Sequence, residues 1–319
     1  MATGFGLNTW LCFGEEGTYG TGVARTKWLE ITDDSLQLKQ TVMSKPALRQ
    51  VSASNRVQSK KDVGGSFKFQ MPFEGAEKIL KHAMGTVAAV TGAGPYTHAF
   101  TLASALPVGL SIEVDRDTVA IGGSSAYLYT GCNINKLTLS QVFEDFLMCE
   151  CEIVGQDSSL VAQTATAFTT FAGIDYSMMT SPLLNGAAVK LQSWELSIEN
   201  GLAADRFKLG SRLRLGLGRA QTRKISGKFT IEYDALTEHA LFLAQTTLVA
   251  LVIPYDNGLS AGNNKQFTFT LPKIAIQGEP PKVADQGPIH LEISFDAYQN
   301  AAQNDEMTAT LIGNLNVSQ

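Results

Sequence analysis

A serine that could act as a nucleophile stands in the run Gly258-Leu259-Ser260-Ala261-Gly262. The run fits the Gly-x-Ser-x-Gly pattern, in which the serine lies on a strained turn between a strand and a helix. Asp256-Asn257-Gly258 before it and Gly262-Asn263-Asn264 after it are turn sequences, so the pattern lacks the helix that it requires. We therefore interpret the run as a loop. A hydrolase that uses Ser260 remains one hypothesis about function, and it ranks below the two that the rest of the sequence suggests.

Metal, acid–base and phosphate chemistry also lack a residue pattern. The four histidines, which form no His-x-x-x-His pair, are His82, His98, His239 and His290. Asp115 and Asp117 could pair as catalytic carboxylates, but acids two positions apart on a strand edge usually form a solvated face. Neither a phosphate-binding Gly-x-x-x-x-Gly-Lys loop nor a Gly-x-Gly-x-x-Gly turn after a strand occurs. We predict no catalytic residue, no metal site and no cofactor.

The four cysteines are Cys12, Cys132, Cys149 and Cys151. Cys149 and Cys151 would share one face of a strand, because side chains alternate along a strand. A Cys-x-Cys pair without a second pair of ligands is a poor zinc site. We predict buried, reduced thiols in the core of a protein made in the cytosol.

Composition describes a globular chain that can bury a large core. Of its 319 residues, 44% are apolar and 17% are charged, and 29 glycines favour β structure over helix. A prior of about 150 residues per domain suggests two domains. The longest apolar run, residues 248–253, is far shorter than the ~20 residues of a membrane-spanning helix, and no secretory signal is evident. The net charge of -5 argues against a protein that coats nucleic acid.

Internal similarity divides the chain into two halves. The strand pattern over residues 63–69 is matched by residues 225–231, and each is followed by a helix pattern, over 73–84 and 236–246. Further matches follow in the same order: 35–38 with 195–198, 98–102 with 267–271, 135–139 with 290–294, and 152–155 with 310–313. We interpret this order as a tandem duplication.

The two halves define the predicted domains. Their boundary lies in residues 156–188, a stretch rich in Ser, Thr and Ala with few charges. We predict a first domain over residues 1–157 with an N-terminal arm, and a second over residues 158–319 in which 158–188 are a linker. Each domain has about seven strand patterns and one helix pattern, which predicts a mainly β (α+β) fold of antiparallel sheet packed with helix.

Cations concentrate in one segment of each half, residues 39–61 and 205–228, where Asp205 is the only acid. Loops of this length are usually functional, and the alternation over 212–215 suggests an extended β-arm. The cations that we single out are Lys39, Lys45, Arg49, Arg56, Lys60, Lys61, Arg206, Lys208, Arg212, Arg214, Arg219 and Arg223.

Three interpretations of these segments stay open. A nucleic-acid contact would need interleaved aromatic residues, and Phe207 is the only one in either segment. A solvated loop follows from the tendency of charges to face water. A contact with acidic patches of a neighbouring copy is favoured by the occurrence of the segment in both halves. Acids cluster elsewhere, at Glu30, Asp33, Asp34, Glu113, Asp115, Asp117, Glu144, Asp145, Glu150 and Glu152.

Five runs, in their order along the chain, resemble tail tube proteins of long-tailed bacteriophages. They are GTYGT at 17–21, WLEIT at 28–32, KKDVGGSF at 60–67, GPYTHAFT at 94–101 and GCNINKLTL at 131–139. The resemblance covers most of residues 15–157 and, through the repeat, the second half more weakly. It implies a structural virion protein that is not an enzyme, assembled into the tail in the host cytoplasm, with no membrane contact. A tail terminator, a distal tail protein or a secretion-system tube protein is the second hypothesis.

The resemblance also implies an assembly. Family members carry a β-sandwich or barrel flanked by a helix, so this chain would carry two in tandem. Rings of such units stack into a tube through which DNA leaves without specific binding, and a long arm contacts the next ring, which assigns the cations above to inter-ring contacts. A ring of about six domain-sized units would need three chains of two units each, with a homohexamer as the alternative. Further implied partners are the tape measure, terminator and distal tail proteins.

Overall fold

The structure is a computed structural model, which describes residues 5–49, 51–52, 55–92, 94–118, 123, 125–168, 172–232, 248–260, 262–278, 289–301 and 304–315. The strands up to residue 162 are β1 (Thr9–Glu15), β2 (Lys27–Leu29), β3 (Ile31–Asp34), β4 (Gln37–Met43), β5 (Val57–Gln70), β6 (Gly85–Val87), β7 (Tyr96–Leu102), β8 (Leu110–Arg116), β9 (Ser125–Val142), β10 (Met148–Gly155) and β11 (Asp157–Ala162). The later strands are β12 (Leu183–Leu184), β13 (Ala187–Ala188), β14 (Leu191–Glu199), β15 (Lys224–Glu232), β16 (Val249–Asp256), β17 (Gln266–Gly278), β18 (His290–Ala297) and β19 (Thr308–Gly313). The described residues also form one α-helix, α1 (Glu77–Met84), and two 3₁₀ helices, Gly6–Asn8 and Tyr176–Met178.

Strand formation follows the alternation of apolar and polar residues. In β18 and β19 every second side chain is buried, which is the pattern of a sheet with one face on a core. Residues 63–69 and 225–231 lie within β5 and β15, as the sequence predicts. The mainly β fold is therefore confirmed.

Helix α1 begins at Glu77, later than the predicted 73–84, because Gly75 has φ 98° and cannot continue a helix backward. The Glu77 carboxylate accepts a hydrogen bond from the Gly75 amide at 2.9 Å. The apolar face of the helix is buried through Ile79, Leu80 and other residues, as its periodicity predicts. The second predicted helix, residues 236–246, lies outside the described residues.

One antiparallel run of strands extends through the molecule in the order β4–β5–β10–β9–β14–β15–β18–β17. Its centre is the pairing of β9 with β14, in which Leu139 lies opposite Leu196. The long strands β9 and β17 each leave this run at their N-terminal ends. There β9 pairs with β8 and β11, and β17 pairs with β16 and β19.

The strand neighbours differ from some of the sequence matches. Residues 98–102 lie in β7, which pairs with β6 and β19, whereas their predicted counterpart 267–271 lies in β17 between β16 and β19. In their pairings, β8, β9 and β10 resemble β16, β17 and β18, which is a different order from that of the sequence matches. Alternation indicates which face of a strand is buried but not which strand lies beside it, so alternating strands can be matched in more than one order. The predicted linker also contains regular structure, since residues 158–162 belong to β11 and the hairpin β12–β13 follows.

The core is made of the inward-facing side chains of both sets of strands, and it forms one continuous cluster. Cys149 and Cys151 share the buried face of β10, with their sulfur atoms 3.9 Å apart, and all four cysteines are free and buried. Burial raises the pKa of the Cys12 thiol to about 12. The prediction of buried core thiols is confirmed.

Within the part of the chain described above, no helix is long and apolar enough to cross a membrane.

Candidate functional site

The first cationic segment is an exposed β-hairpin. β4 pairs with the first part of β5, so that Lys39 lies opposite Asp62 and Met43 lies opposite Val57. Lys45, Arg49 and the other described residues between β4 and β5 are exposed, as are the apolar side chains listed here: Val42, Met43, Leu48, Val51 and Val57. The segment is therefore an arm, as the sequence predicts, with cations and apolar groups together on its surface.

The second cationic segment does not form the extended arm that the sequence predicts. The backbone from residue 205 to residue 223 contains no strand and makes an isolated bridge between Leu202 and Arg219. Its backbone bonds to the first arm instead, where the Lys61 amide donates to the Arg212 carbonyl at 3.0 Å. The segment therefore packs on its own chain rather than projecting from it.

Arg214 holds the second segment in this position. Its side chain is only 2% exposed, although it carries a charge. The guanidinium donates to the Asp62 carboxylate, to the Gly155 carbonyl and, at 2.8 Å, to the Ala204 carbonyl. The Phe207 ring lies 5.4 Å from the guanidinium carbon and 4.5 Å from the Lys60 ammonium. Buried charges need such partners, and no local sequence signal identifies them.

Arg219 and Arg223 bind the end of the same segment to two other loops. Both donate to the carbonyl of Ala103, just after β7. Arg223 also pairs with Glu306 at 2.7 Å. Burial, together with the neighbouring Arg223, lowers the pKa of Arg219. These two cations are engaged within the chain, unlike the exposed Lys45 and its neighbours.

The twelve predicted contact residues thus fall into two groups. Lys61 pairs with Asp157 at 2.6 Å and joins the three buried or half-buried arginines above, all engaged with their own chain. The exposed group is Lys39, Lys45, Arg49, Arg56, Lys60, Arg206, Lys208 and Arg212. The structure therefore gathers exposed positive charge mainly on the first arm and beside its base.

Asp115 and Asp117 do not lie on the solvated face that the sequence predicts, since both are buried. Glu113 is fully buried and pairs with Arg25, and it accepts from the Thr164 amide at 2.8 Å. Asp115 is also buried and accepts from Gln163 at 2.6 Å. These carboxylates hold the segments around residues 25 and 164 against the sheet. The acids that remain exposed are Glu30, Asp33, Glu144, Asp145 and Glu152.

The candidate nucleophile Ser260 is exposed in the connection between β16 and β17. The chain continues from it into a strand rather than a helix, which agrees with the loop interpretation. His82 is buried against Glu15 at 3.1 Å, and His98 is buried against the Leu315 carbonyl at 3.1 Å. His239 lies outside the described residues. Among those that are described, no group of three or more His, Cys, Asp or Glu residues could hold a metal ion.

A surface groove of about 440 Å³ lies over the junction of β9 and β14. Its lining includes Phe143 and Tyr176, whose rings meet edge to face at 5.2 Å, and Trp194. Below it Trp194 donates to the Tyr255 hydroxyl at 2.8 Å, which in turn donates to Gln141 at 2.5 Å. None of the described residues that line the groove is a histidine, cysteine or carboxylate. The groove therefore offers no acid–base pair.

Within the part of the chain that the structure describes, both ends of the long run of strands are open. Among the described residues, β4 pairs with β5 on one side and with no strand on the other. At the other end, Ile274 of β17 lies between Val249 of β16 and Ala297 of β18, but residues 275–278 pair with β18 alone. Open strand edges are sites of pairing with another chain.

The fold is that of a β-protein whose described residues offer open strand edges and an exposed arm. A family model described as phage tail tube protein matches residues 6–297, so the chain belongs to this family. No curated protein sequence matches the chain. The family consists of structural proteins rather than enzymes, and the protein is a component of the virion tail that assembles with itself and with other tail proteins. The resemblance seen in the sequence is confirmed.

Proposed function

We propose that copies of this chain close into rings, that the rings stack into the tail tube, and that DNA leaves the particle through this tube. The observation that carries the proposal is the pair of open edges at opposite ends of one antiparallel run. A long open edge is a liability in a single molecule, and closing a ring by one repeated edge contact removes it.

We further propose that the chain consists of two tandem domains, residues 1–157 and 158–319. The recurrence of strand pairings supports this proposal, since β4, β5, β10 and β9 are joined in the same way as β14, β15, β18 and β17. If a ring has about six domain-sized units, three chains close it, with true threefold and approximate sixfold symmetry. The covalent link raises the effective concentration of neighbouring units.

The alternative arrangement is a ring of six chains, in which the second half lies outside and only the first half lines the tube. Native mass spectrometry of single rings, combined with the rotational symmetry of tubes in electron micrographs, distinguishes the two. Three chains per ring is the expected result. Six chains per ring would contradict the trimer, and isolated rings that never stack would favour a terminator or distal tail role.

The exposed first arm is proposed as the contact between stacked rings. Lys45, Arg49 and Arg56 project away from the sheet, and no described carboxylate of the same chain lies within ion-pair distance of them. Exposed acids such as Glu144 and Asp145 supply complementary charge on another copy. Each exposed pair contributes about 0.2–1 kcal/mol, so the strength of stacking comes from repetition around the ring.

We also propose that the lumen is acidic or neutral. A lumen rich in Lys and Arg would bind phosphates with release of counterions and would retain the passing DNA. The net charge of -5 supports this expectation without assigning the charges to one surface.

A further inference from the structure

We propose that the open end of β17 pairs in antiparallel register with β4 of a second copy of this chain, with Gln277 of one copy opposite Lys39 of the other. The inference rests on the ring of the proposed function and specifies its chain-to-chain junction. The pairing of β9 with β14 inside the chain is the template for it.

Two sets of four strands in the chain have the same order of neighbours. In the earlier part of the chain β4 pairs with β5, β5 with β10, and β10 with β9. In the later part β14 pairs with β15, β15 with β18, and β18 with β17. The two four-stranded sets thus have the same order, and the edge strand β14 of the second set lies against the edge strand β9 of the first. Within the described residues, β4 and residues 275–278 of β17 are the equivalent edges that pair with no second strand.

The register of β4 on β5 can be compared with the register of β14 on β15. Leu38 lies opposite Val63 of β5, and Ile198 lies opposite Ile225 of β15. Since residues 63–69 match 225–231, Leu38 occupies the position of Ile198. This agrees with the independent sequence match of 35–38 with 195–198.

The same comparison locates the equivalent residue in β17. Phe67 lies opposite Cys151, which lies opposite Leu137 of β9. Phe229 lies opposite Ile293, which lies opposite Gly278 of β17. Gly278 therefore occupies the position of Leu137, although the two strands show no sequence similarity that would reveal it.

The template then determines the register between copies. Ile198 lies opposite Leu137, and Glu199 lies opposite Lys136. Transferred to the open edges, these pairs become Leu38 with Gly278 and Lys39 with Gln277. Both Lys39 and Gln277 are exposed in the single chain, and the Gln277 side-chain amide donates to the Asp296 carboxylate of β18 at 3.0 Å.

Residues of opposite charge face each other across the paired strands of the template, and the proposed junction can be compared with them. A row of opposite charges crosses the four central strands, from Glu152 through Lys136 and Glu199 to Lys224. The equivalent row at the proposed junction runs from Gln277 through Lys39 to Asp62. The neutral Gln277 stands where the template has the charged Lys136 opposite Glu199, so the junction lacks this opposition of charges and can be adjusted by substitution.

The test is disulfide cross-linking in the full chain. We expect the double variant Lys39→Cys with Gln277→Cys, oxidised during assembly, to form disulfides between chains, because directly opposed residues on paired strands come within bridging distance. The four native cysteines are buried and leave the background low. The matched control is Lys136→Cys with Glu199→Cys, which should form the same bond within one chain. A second control, Lys39→Cys with Ala275→Cys, tests a register shifted by two residues.

Electron microscopy of the same samples separates this inference from the proposed function. Chains cross-linked through 39 and 277, but not through 39 and 275, support the pairing. Rings or tubes without the 39–277 bond, or with equal bonding in the shifted control, overturn the pairing and leave the ring intact. Cross-linked chains that never form rings or tubes support the pairing and overturn the proposed function. Chains that neither associate nor cross-link overturn both.

A charge variant gives an independent measurement. Gln277→Glu restores the opposite charge found in the template, and Gln277→Lys places like charges together. We expect the first to lower the concentration needed for assembly by about two- to fivefold and the second to raise it by a similar factor. Identical assembly of the two variants would overturn the register.

Discussion

Removing the side chain of Arg214 should destabilise the protein far more than removing that of Arg212, two residues earlier. Arg214 is 2% exposed and donates to three acceptors, whereas Arg212 is exposed and donates to Gln58. The two positions carry the same residue type in one segment. Arg212→Ala is therefore a matched control for Arg214→Ala.

The magnitude follows from what the Arg214→Ala variant leaves behind. Breaking a buried ion pair costs about 3–5 kcal/mol when the remaining charge stays buried. The Asp62 side chain is 37% exposed, so water can solvate part of its charge and the cost is smaller. The carbonyl of the buried Gly155 loses a donor, at about 1–3 kcal/mol for a buried group left unsatisfied, whereas Ala204 is exposed and water can replace the donor there. We expect a loss of about 2–4 kcal/mol for Arg214→Ala, against about 0–1 kcal/mol for Arg212→Ala.

The assay is urea unfolding of unassembled chains, followed by fluorescence and by limited proteolysis of residues 205–223. Arg214→Ala should unfold at lower urea concentration and be cleaved faster in this segment. Equal midpoints and equal cleavage for the two variants would refute the reasoning. The contrast also separates stability from assembly, because changing Arg212 and Arg214 together to Glu would disturb folding before it disturbed stacking.

Three further predictions concern stacking, pH and DNA. Changing Lys45, Arg49 and Arg56 to Glu should leave rings intact but prevent stacking, and normal tubes in electron micrographs would contradict this. The pKa of Glu15 is held well below its usual range by the hydrogen bond from His82 and by the ammonium groups of Lys78 and Lys81. This cluster therefore stabilises the fold at pH values above about 4.3, the pKa of the Glu15 carboxyl in the unfolded chain, and the stabilisation is lost as the pH falls below that value. The variant Glu15→Gln should flatten the acid side of the curve of stability against pH, measured by urea unfolding. Assembled tubes should bind duplex DNA weakly at physiological salt, and tight binding in a fluorescence anisotropy titration would contradict a neutral or acidic lumen.

The cationic segments show how far residue type alone can lead. Both segments were expected to behave alike, because each concentrates Lys and Arg between two strand patterns. Only the first has an open surface for its charges, while Arg214 in the second is surrounded by Asp62, Gly155 and Ala204. Asp62 and Gly155 lie far from Arg214 in the chain, so no local sequence pattern indicates that Arg214 is buried.

The acidic residues in and just after β8 are likewise buried by distant parts of the chain, although their sequence pattern suggests exposure. Asp115 and Asp117, two positions apart, suggest a solvated strand edge, yet both are buried. Asp115 accepts a hydrogen bond from Gln163, which lies 48 positions later in the chain. Whether a strand face is exposed to solvent depends on whether other segments of the chain pack on it.

The sequence by itself determined the mainly β class, the strands over residues 63–69 and 225–231, the buried thiols and the family. These follow from the side-chain period of two and from local residue order, which a single chain carries in full. Only the tertiary structure decided that β9 pairs with β14 and that β7 pairs with β19. The physical reason is that alternation specifies which face of a strand is buried but not which strand lies beside it. Strand neighbours are chosen by contacts between residues far apart in the chain, which no local pattern contains.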